Sequence, residues 1–378
     1  GVIVGPTLGP PLGGYLVDTY SWPYIFYINI PIGIIATLLT LRYVKSPKYG
    51  EKMSANQVDW YGIITLAGFI GSLQYVLEHG QQDDWFNDGT IVTLSVISFF
   101  SLFFFIWRQL TYDFPIVNLK VLKDTNLRVG TILSFIMGFG LYGSTFIIPI
   151  YTQSILGWTA TDAGLLLIPS SLMTAFMMPI IGQLLQRGVP QKYLVAIGFL
   201  MFFFFTFWMY NIMTPDTGEE FMYWPLIIRG LGLGLLFVPI TTLSLSTLKG
   251  KSIGEGAAFT GMMRQLGGSF GIAIITTFIA RFSQEHRVNL IGNIDATKVQ
   301  VQDRISQLQH GFMAKGFSSN EALDKAHKII DLSITKQSTV LAYMDIFLFL
   351  GILFLICIPI ILLIKNNKNK VNISEAMH

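Results

Sequence analysis

Three charged side chains stand inside long apolar runs: Arg264 in "FTGMMRQLGGSFGIAI", Arg229 in "YWPLIIRGLGLGLLFVPI" and Asp345 in "LAYMDIFLFLGILF". A charge in such surroundings is costly and marks a functional candidate by default. A carboxylate there can take up and release a proton. A guanidinium can bind an anionic group or hold a neighbouring carboxylate ionised. Arg264 lies about two turns into its run, beside Gln265, Gly267 and Gly268. It either contacts a substrate, pairs with a carboxylate, or bonds backbone carbonyls as a packing residue. Arg229 lies nearer the end of its run, so its head can reach the interface while its stem stays in lipid. Asp345, about one turn into the last run, either helps proton exchange or sits at the interface. Asn29, Gln74, Gln153 and Tyr142 are uncharged polar groups at depth, placed to line a cavity or to bond between helices.

Other chemistry is excluded. "GFGLYG" at 138–143 spells a dinucleotide fingerprint but follows no strand and lies in an apolar run, so its glycines serve packing or bending. No histidine falls in the interior of an expected span, His79 standing at the very end of one, which argues against a zinc site and a Ser–His pair. Cys357 is the single cysteine, so no disulfide forms within the chain, and it reads as a small core or lipid-facing residue. No metal site and no nucleic-acid partner are expected.

These residues must be positioned by helices in lipid. The chain has 378 residues, 52% hydrophobic and only 12% charged, with a mean hydropathy of +0.56. A soluble protein carries about 25% charged residues. About 20 apolar residues cross a bilayer as a helix. The sequence therefore predicts an all-α polytopic membrane protein with ten membrane helices, at 1–17, 24–44, 59–79, 89–110, 129–153, 161–186, 193–213, 222–246, 256–281 and 340–364.

Charge alternates across the connections. Arg42, Lys45, Lys48 and Lys52 are followed, two connections on, by Arg108, Lys120, Lys123 and Arg128, then Arg187 and Lys192, then Lys249 and Lys251, then Lys365, Lys368 and Lys370. The connections between hold Asp18, then Glu78, Asp83, Asp84 and Asp88, then Asp162, then Asp216, Glu219 and Glu220. The positive-inside rule places the basic connections and the C-terminus in the cytoplasm. The long connection 282–338 falls outside, and its helical periodicity predicts two short amphipathic helices, as a cap over the bundle or a docking surface for a partner.

The opening stretch "GVIVGPTLGPPLGGYLVDTYSWPYIFYINIPIG" repeats glycine every four residues, a face that lets helices approach closely, and carries prolines that loosen it. Gly5, Pro6, Gly9, Pro10, Gly13 and Gly14, followed by "SWPYIFYINIPIG", resemble the fourteen-helix drug:proton antiporters of the major facilitator superfamily, the EmrB/QacA-like group. "VDWYGIITLAGFIGSLQYVLEHG", "RGLGLGLLFVPITTLSLS", "RQLGGSFGIAI" and "QSTVLAYMDIF" extend the resemblance along the whole chain. Pro23 departs from it where Arg or His is usual, as does Gly261 where Asn is common.

The resemblance implies the superfamily fold, with helices five to fourteen present and the first four outside this sequence. Residues 1–45 would be the last two helices of an N-terminal bundle, 46–126 two linker helices, 127–370 a C-terminal six-helix bundle and 371–378 a cytoplasmic tail. "GQLLQRGVPQKY" at 182–193 is a weaker echo of the family's loop between helices two and three. The implied activity is export of hydrophobic or amphipathic drugs from the bacterial plasma (inner) membrane. It is driven by the proton gradient with no cofactor, and joined in a Gram-negative source by a periplasmic adaptor and an outer-membrane channel. The rival readings are an exporter of another small metabolite, and a scaffold or inactive remnant lacking the coupling helices. A pore would need a ring of repeated polar residues.

Overall fold

The computed structural model describes residues 4–44, 59–112, 115, 119–294 and 298–362. Gly1, Lys45, Lys48, Lys52, Lys365, Lys368, Lys370 and the expected tail 371–378 lie outside the described residues. Among those described there is no strand.

The glycine–proline stretch forms α1 (Val4–Thr19), helical through Pro10 and Pro11. A short α2 (Tyr24–Tyr27) runs into α3 (Asn29–Tyr43), which buries none of its residues. The hairpin of α4 (Trp60–His79) and α5 (Gly89–Thr111) follows. Asp59 starts α4 by accepting from the Gly62 N–H at 3.0 Å, and Asp88 starts α5 through Thr90 and Ile91. Such side-chain acceptors satisfy the N–H groups that a helix start leaves unpaired.

Asp124 caps α6 (Thr125–Ser154), and Thr159 caps the short α7 (Ala160–Leu165), which continues as α8 (Ile168–Gln186) with a proline in its first turn. Next come α9 (Gln191–Ile212), α10 (Glu219–Leu245), α11 (Lys251–Asn293), α12 (Val299–Met313) and α13 (Ser319–Leu362). Nine of these helices, counting α2–α3 and α7–α8 each as one, are long and apolar enough to cross a membrane. The tenth expected span, α1, has 16 described residues, about 24 Å at 1.5 Å each, against about 30 Å of hydrocarbon.

One expectation is corrected. The stretch 282–338 does not hold two separate amphipathic helices: α11 runs on to Asn293, the second stretch is the start of α13, and only α12 stands apart. The cause is physical. Polar residues end a membrane span but not a helix, and "RFSQEHRVNL" and "LDKAHKIIDLSITKQ" contain neither Gly nor Pro. With 43 and 44 residues, α11 and α13 are each about 65 Å long and project well past the bilayer on the acidic face.

Lipid gives helices no hydrophobic reason to associate, so close packing must hold them. The core of α6, α9 and α13 is aromatic: Phe202 stacks on Phe354 with ring centroids 4.1 Å apart, and Phe199, Phe205, Phe347 and Tyr151 are fully buried around them. Glycines let the backbones meet. A Cβ on Gly232 of α10 would lie 3.1 Å from the Gly198 carbonyl of α9. Cys357 is buried in this core.

Candidate functional site

Arg229 does not reach for the interface. It is 4% exposed and clamps three helices together. From α10, its Nε donates to the Ser144 hydroxyl of α6 at 2.9 Å and its first terminal nitrogen to the Ser170 hydroxyl of α8 at 2.9 Å. Its second terminal nitrogen donates to the Thr145 hydroxyl at 2.5 Å and the Leu141 carbonyl at 3.3 Å. These partners are hydroxyls and a carbonyl, so the guanidinium is satisfied by dipoles rather than by a carboxylate. Burial follows from the neighbours: Gly230, next in sequence, lets α10 settle on α8 with the Ser170 carbonyl against it.

Arg264 lies on α11 with its guanidinium 4.6 Å from the centre of the Phe237 ring on α10. Cation–π attraction offsets part of the cost of a charge at depth. It stands at a seam where α6 and α11 touch backbone to backbone. A Cβ on Gly138 would collide with the Arg264 carbonyl, and one on Gly267 with the Phe135 carbonyl. Tyr142 joins this seam by packing its ring against Gly268, one turn past Arg264. Gln265 is exposed and its carbonyl accepts from Ser269, whose hydroxyl also donates to Gln74 of α4 at 2.6 Å. Gln153 and Asn29 are exposed, and Asn29 donates to the Ile25 carbonyl of the preceding turn.

Asp345 is not alone. Its Oδ2 lies 2.6 Å from His286 Nε2, joining α13 to α11. One turn inward of each residue, Phe349 and Phe282 meet Phe278 and close the apolar core beneath the pair. His286 lies past the expected span, so the sequence does not pair it with Asp345, and only the unbroken run of α11 carries it there. Arg229, Arg264 and Asp345 thus each have their own partners. Two surface hollows, one lined by Tyr61, Thr65, Phe104, Trp107 and Arg108 and one by His327, Lys328, Asp331 and Leu332, include none of them. Among the described residues no cluster of three His, Cys, Asp or Glu could hold a metal.

The glycine–proline helix packs on the start of α7. A Cβ on Gly14 would overlap the Ala160 carbonyl, and one on Gly164 would lie 2.5 Å from the Pro10 carbonyl. Gly9 and Gly13 face nothing within 4 Å, while Gly5 and Pro6 fall in the first turn of α1. This seam and the seam at Arg264 are backbone contacts that only glycine permits, in a bundle of membrane-length helices. Residues 1–272 match the Major Facilitator Superfamily.

The chain belongs to the Major Facilitator Superfamily. Curated members similar to it include the fatty acid resistance protein FarB of Neisseria gonorrhoeae, 32% identical over 366 residues, covering 96% of this chain and 69% of that protein. The multidrug export protein EmrB of Escherichia coli K12 is 30% identical, covering 95% and 68%. The probable multidrug resistance protein EmrY of the same strain is 30% identical, covering 94% and 67%. As a superfamily member, the chain is part of a multi-pass membrane transporter rather than an enzyme with a reaction centre.

Proposed function

We propose that this chain works in a secondary exporter that expels hydrophobic or amphipathic compounds, cationic drugs among them, in exchange for protons. One observation carries the reading: the glycine–proline helix α1 rests on α7 backbone to backbone. Its glycine contacts have no interlocking side chains, so two rigid bundles can make and break them as they rock about a central site. The names of EmrB, EmrY and FarB support the substrate class.

In this reading α1–α3 belong to an N-terminal bundle, α4 and α5 are linker helices, and α6–α11 with α13 form the C-terminal bundle. The basic face lies in the cytoplasm with the C-terminus, by the positive-inside rule. Arg264, Gln265 and Tyr142 flank the compound's route, and the Asp345–His286 pair exchanges protons with the outside. The proton and the compound favour states open to opposite sides, because coupling requires differential affinity for the two states. The proton gradient replaces any cofactor. The projecting parts of α11, α12 and α13 expose Val288, Val299 and Leu332, a surface suited to a periplasmic adaptor that leads to an outer-membrane channel.

The test is transport by the full-length protein in liposomes. Saturable export that stops when an uncoupler collapses the proton gradient is expected. Flux that persists without the gradient marks a pore, and no flux marks a scaffold; either overturns the antiport reading.

A further inference from the structure

The acidic end of the α1–α7 seam carries a feature that the glycine contacts do not explain. Asp18, in the last turn of α1, reaches across 143 positions of sequence to Thr161 in the first turn of α7. One carboxylate oxygen, Oδ2, accepts the Thr161 backbone N–H at 2.7 Å and the Thr161 hydroxyl at 2.5 Å. The first N–H groups of a helix have no acceptor within it. On α7 they are shared between two oxygen acceptors: Thr159 Oγ1 accepts the Asp162 N–H at 3.1 Å, and Asp18 Oδ2 accepts that of Thr161. One helix thus supplies half of the cap of another.

The placement is informative. Deeper in the seam the helices meet through Gly14, Ala160, Gly164 and Pro10, backbone against backbone. Those groups are already bonded within their own helices, and proline has no N–H to offer. They fit together but do not fasten. The Asp18–Thr161 contact fastens, and it does so at the rim, where both residues border water and water can replace either bond when it breaks.

We propose that Asp18 and Thr161 form the latch of the gate on the acidic face: α1 and α7 part when the site opens to that side, and these bonds must break first. The inference rests on the transporter reading. It makes Asp18 a positioning residue for alternating access, one that sets how much of the population is open to the acidic face without touching the transported compound. Asp18→Ala removes the acceptor and shifts the population toward that open state, whereas Asp18→Asn keeps an acceptor oxygen and restores much of the closed state.

The experiment uses the full-length transporter in liposomes. In an Ala160→Cys background, a membrane-impermeant maleimide added from the acidic face reports opening of the seam. Asp18→Ala is expected to raise the labelling rate at least fivefold and Asp18→Asn much less. In an Asp18→Cys/Thr161→Cys pair, oxidation is expected to form a disulfide and reduce transport more than tenfold, with recovery on reduction. Equal labelling rates, failure of the disulfide to form, or transport unchanged by the disulfide would each overturn the latch. Absence of transport in the unmodified protein would overturn the transporter reading instead, and the labelling rates would still report on the seam.

Discussion

The Nε–H of Arg229 donates to the hydroxyl of Ser144, 2.9 Å away and 85 positions earlier in the chain. Ser144 passes the interaction on, donating its own proton to the Gly140 carbonyl at 2.6 Å. Arg229 is therefore the junction of α6, α8 and α10, and its planar fork is what meets three hydroxyls in three directions. A lysine presents a compact ammonium and cannot span them. Arg229→Lys is expected to destabilise the bundle by about 3 kcal/mol, the scale for stranding a buried charge among mismatched partners. Ser144→Ala and Ser170→Ala each remove one bond to the guanidinium and are expected to cost about 1 kcal/mol. Thermal unfolding in detergent measures all three, and Arg229→Lys matching wild type would show that the fork is not what holds the junction.

The parallel seam of α6 and α11 makes a sharper demand. Gly138 meets Arg264, Gly267 meets Phe135, and a Cβ on Gly271 would lie 2.8 Å from the Phe139 carbonyl. Neighbouring backbone cannot swing aside as a side-chain tip can. Gly138→Val and Gly267→Val are expected to push the helices apart and abolish recovery of monodisperse protein. Gly261, on the same α11, has nothing within 4 Å. Gly261→Ala is expected to be tolerated or to stabilise by up to about 1 kcal/mol through helix propensity. Size-exclusion profiles of the three variants decide it.

Much of this architecture is legible in the sequence, for identifiable reasons. Membrane spans announce themselves because lipid leaves helices little choice, whereas the capping of α4, α5 and α6 by Asp59, Asp88 and Asp124 emerges only with the helices in place. The reach of α11 and α13 beyond the membrane is not legible from hydropathy, which responds to lipid and not to the helical hydrogen-bond ladder. Arg229 misleads for a related reason: its hydroxyl partners, between 59 and 85 positions away, look like any other serine and threonine. Asp345 is visible as an acid in a span, but His286 is not visible as its partner until α11 is known to continue. Asp18 reads as one acidic loop residue among many, and its bond to Thr161 emerges only when α1 crosses α7.

The α4–α5 hairpin has its own tie to α11. Ser269 of α11 donates to Gln74 of α4 at 2.6 Å, and Gln74 turns its amide toward Glu78 at 2.5 Å. A hydrogen bond between membrane helices contributes about 1 kcal/mol. Ser269→Ala is expected to speed amide exchange in the second half of α4 about fivefold, the same energy read as a rate. The α5 contact from Ser98 to the Phe69 carbonyl stays intact in this variant, so the hairpin should loosen as a unit. Exchange mass spectrometry of α4, α5 and α11 tests this, and acceleration confined to α11 would contradict it.

Asp88 gives the hairpin a response to acid. Its carboxylate accepts from the Ile91 N–H at 3.0 Å and the Thr90 N–H at 2.7 Å at the start of α5. These bonds, Ile91 foremost, hold its carboxyl below the ordinary range for aspartate, against a smaller opposing effect of burial. The sign follows from linkage. A carboxyl with a lower value when folded stabilises the cap fully above its unfolded value, about 3.9 for a free aspartate, and loses that stabilisation as pH falls through the folded value. The first turn of α5 is therefore expected to fray in acid below that range, seen as falling protection factors at Thr90 and Ile91. Asp88→Asn keeps an acceptor that does not titrate and should flatten this pH dependence, whereas Asp88→Ala should leave the turn frayed at every pH. Identical pH profiles for the wild type and Asp88→Asn would assign the acid response to another group.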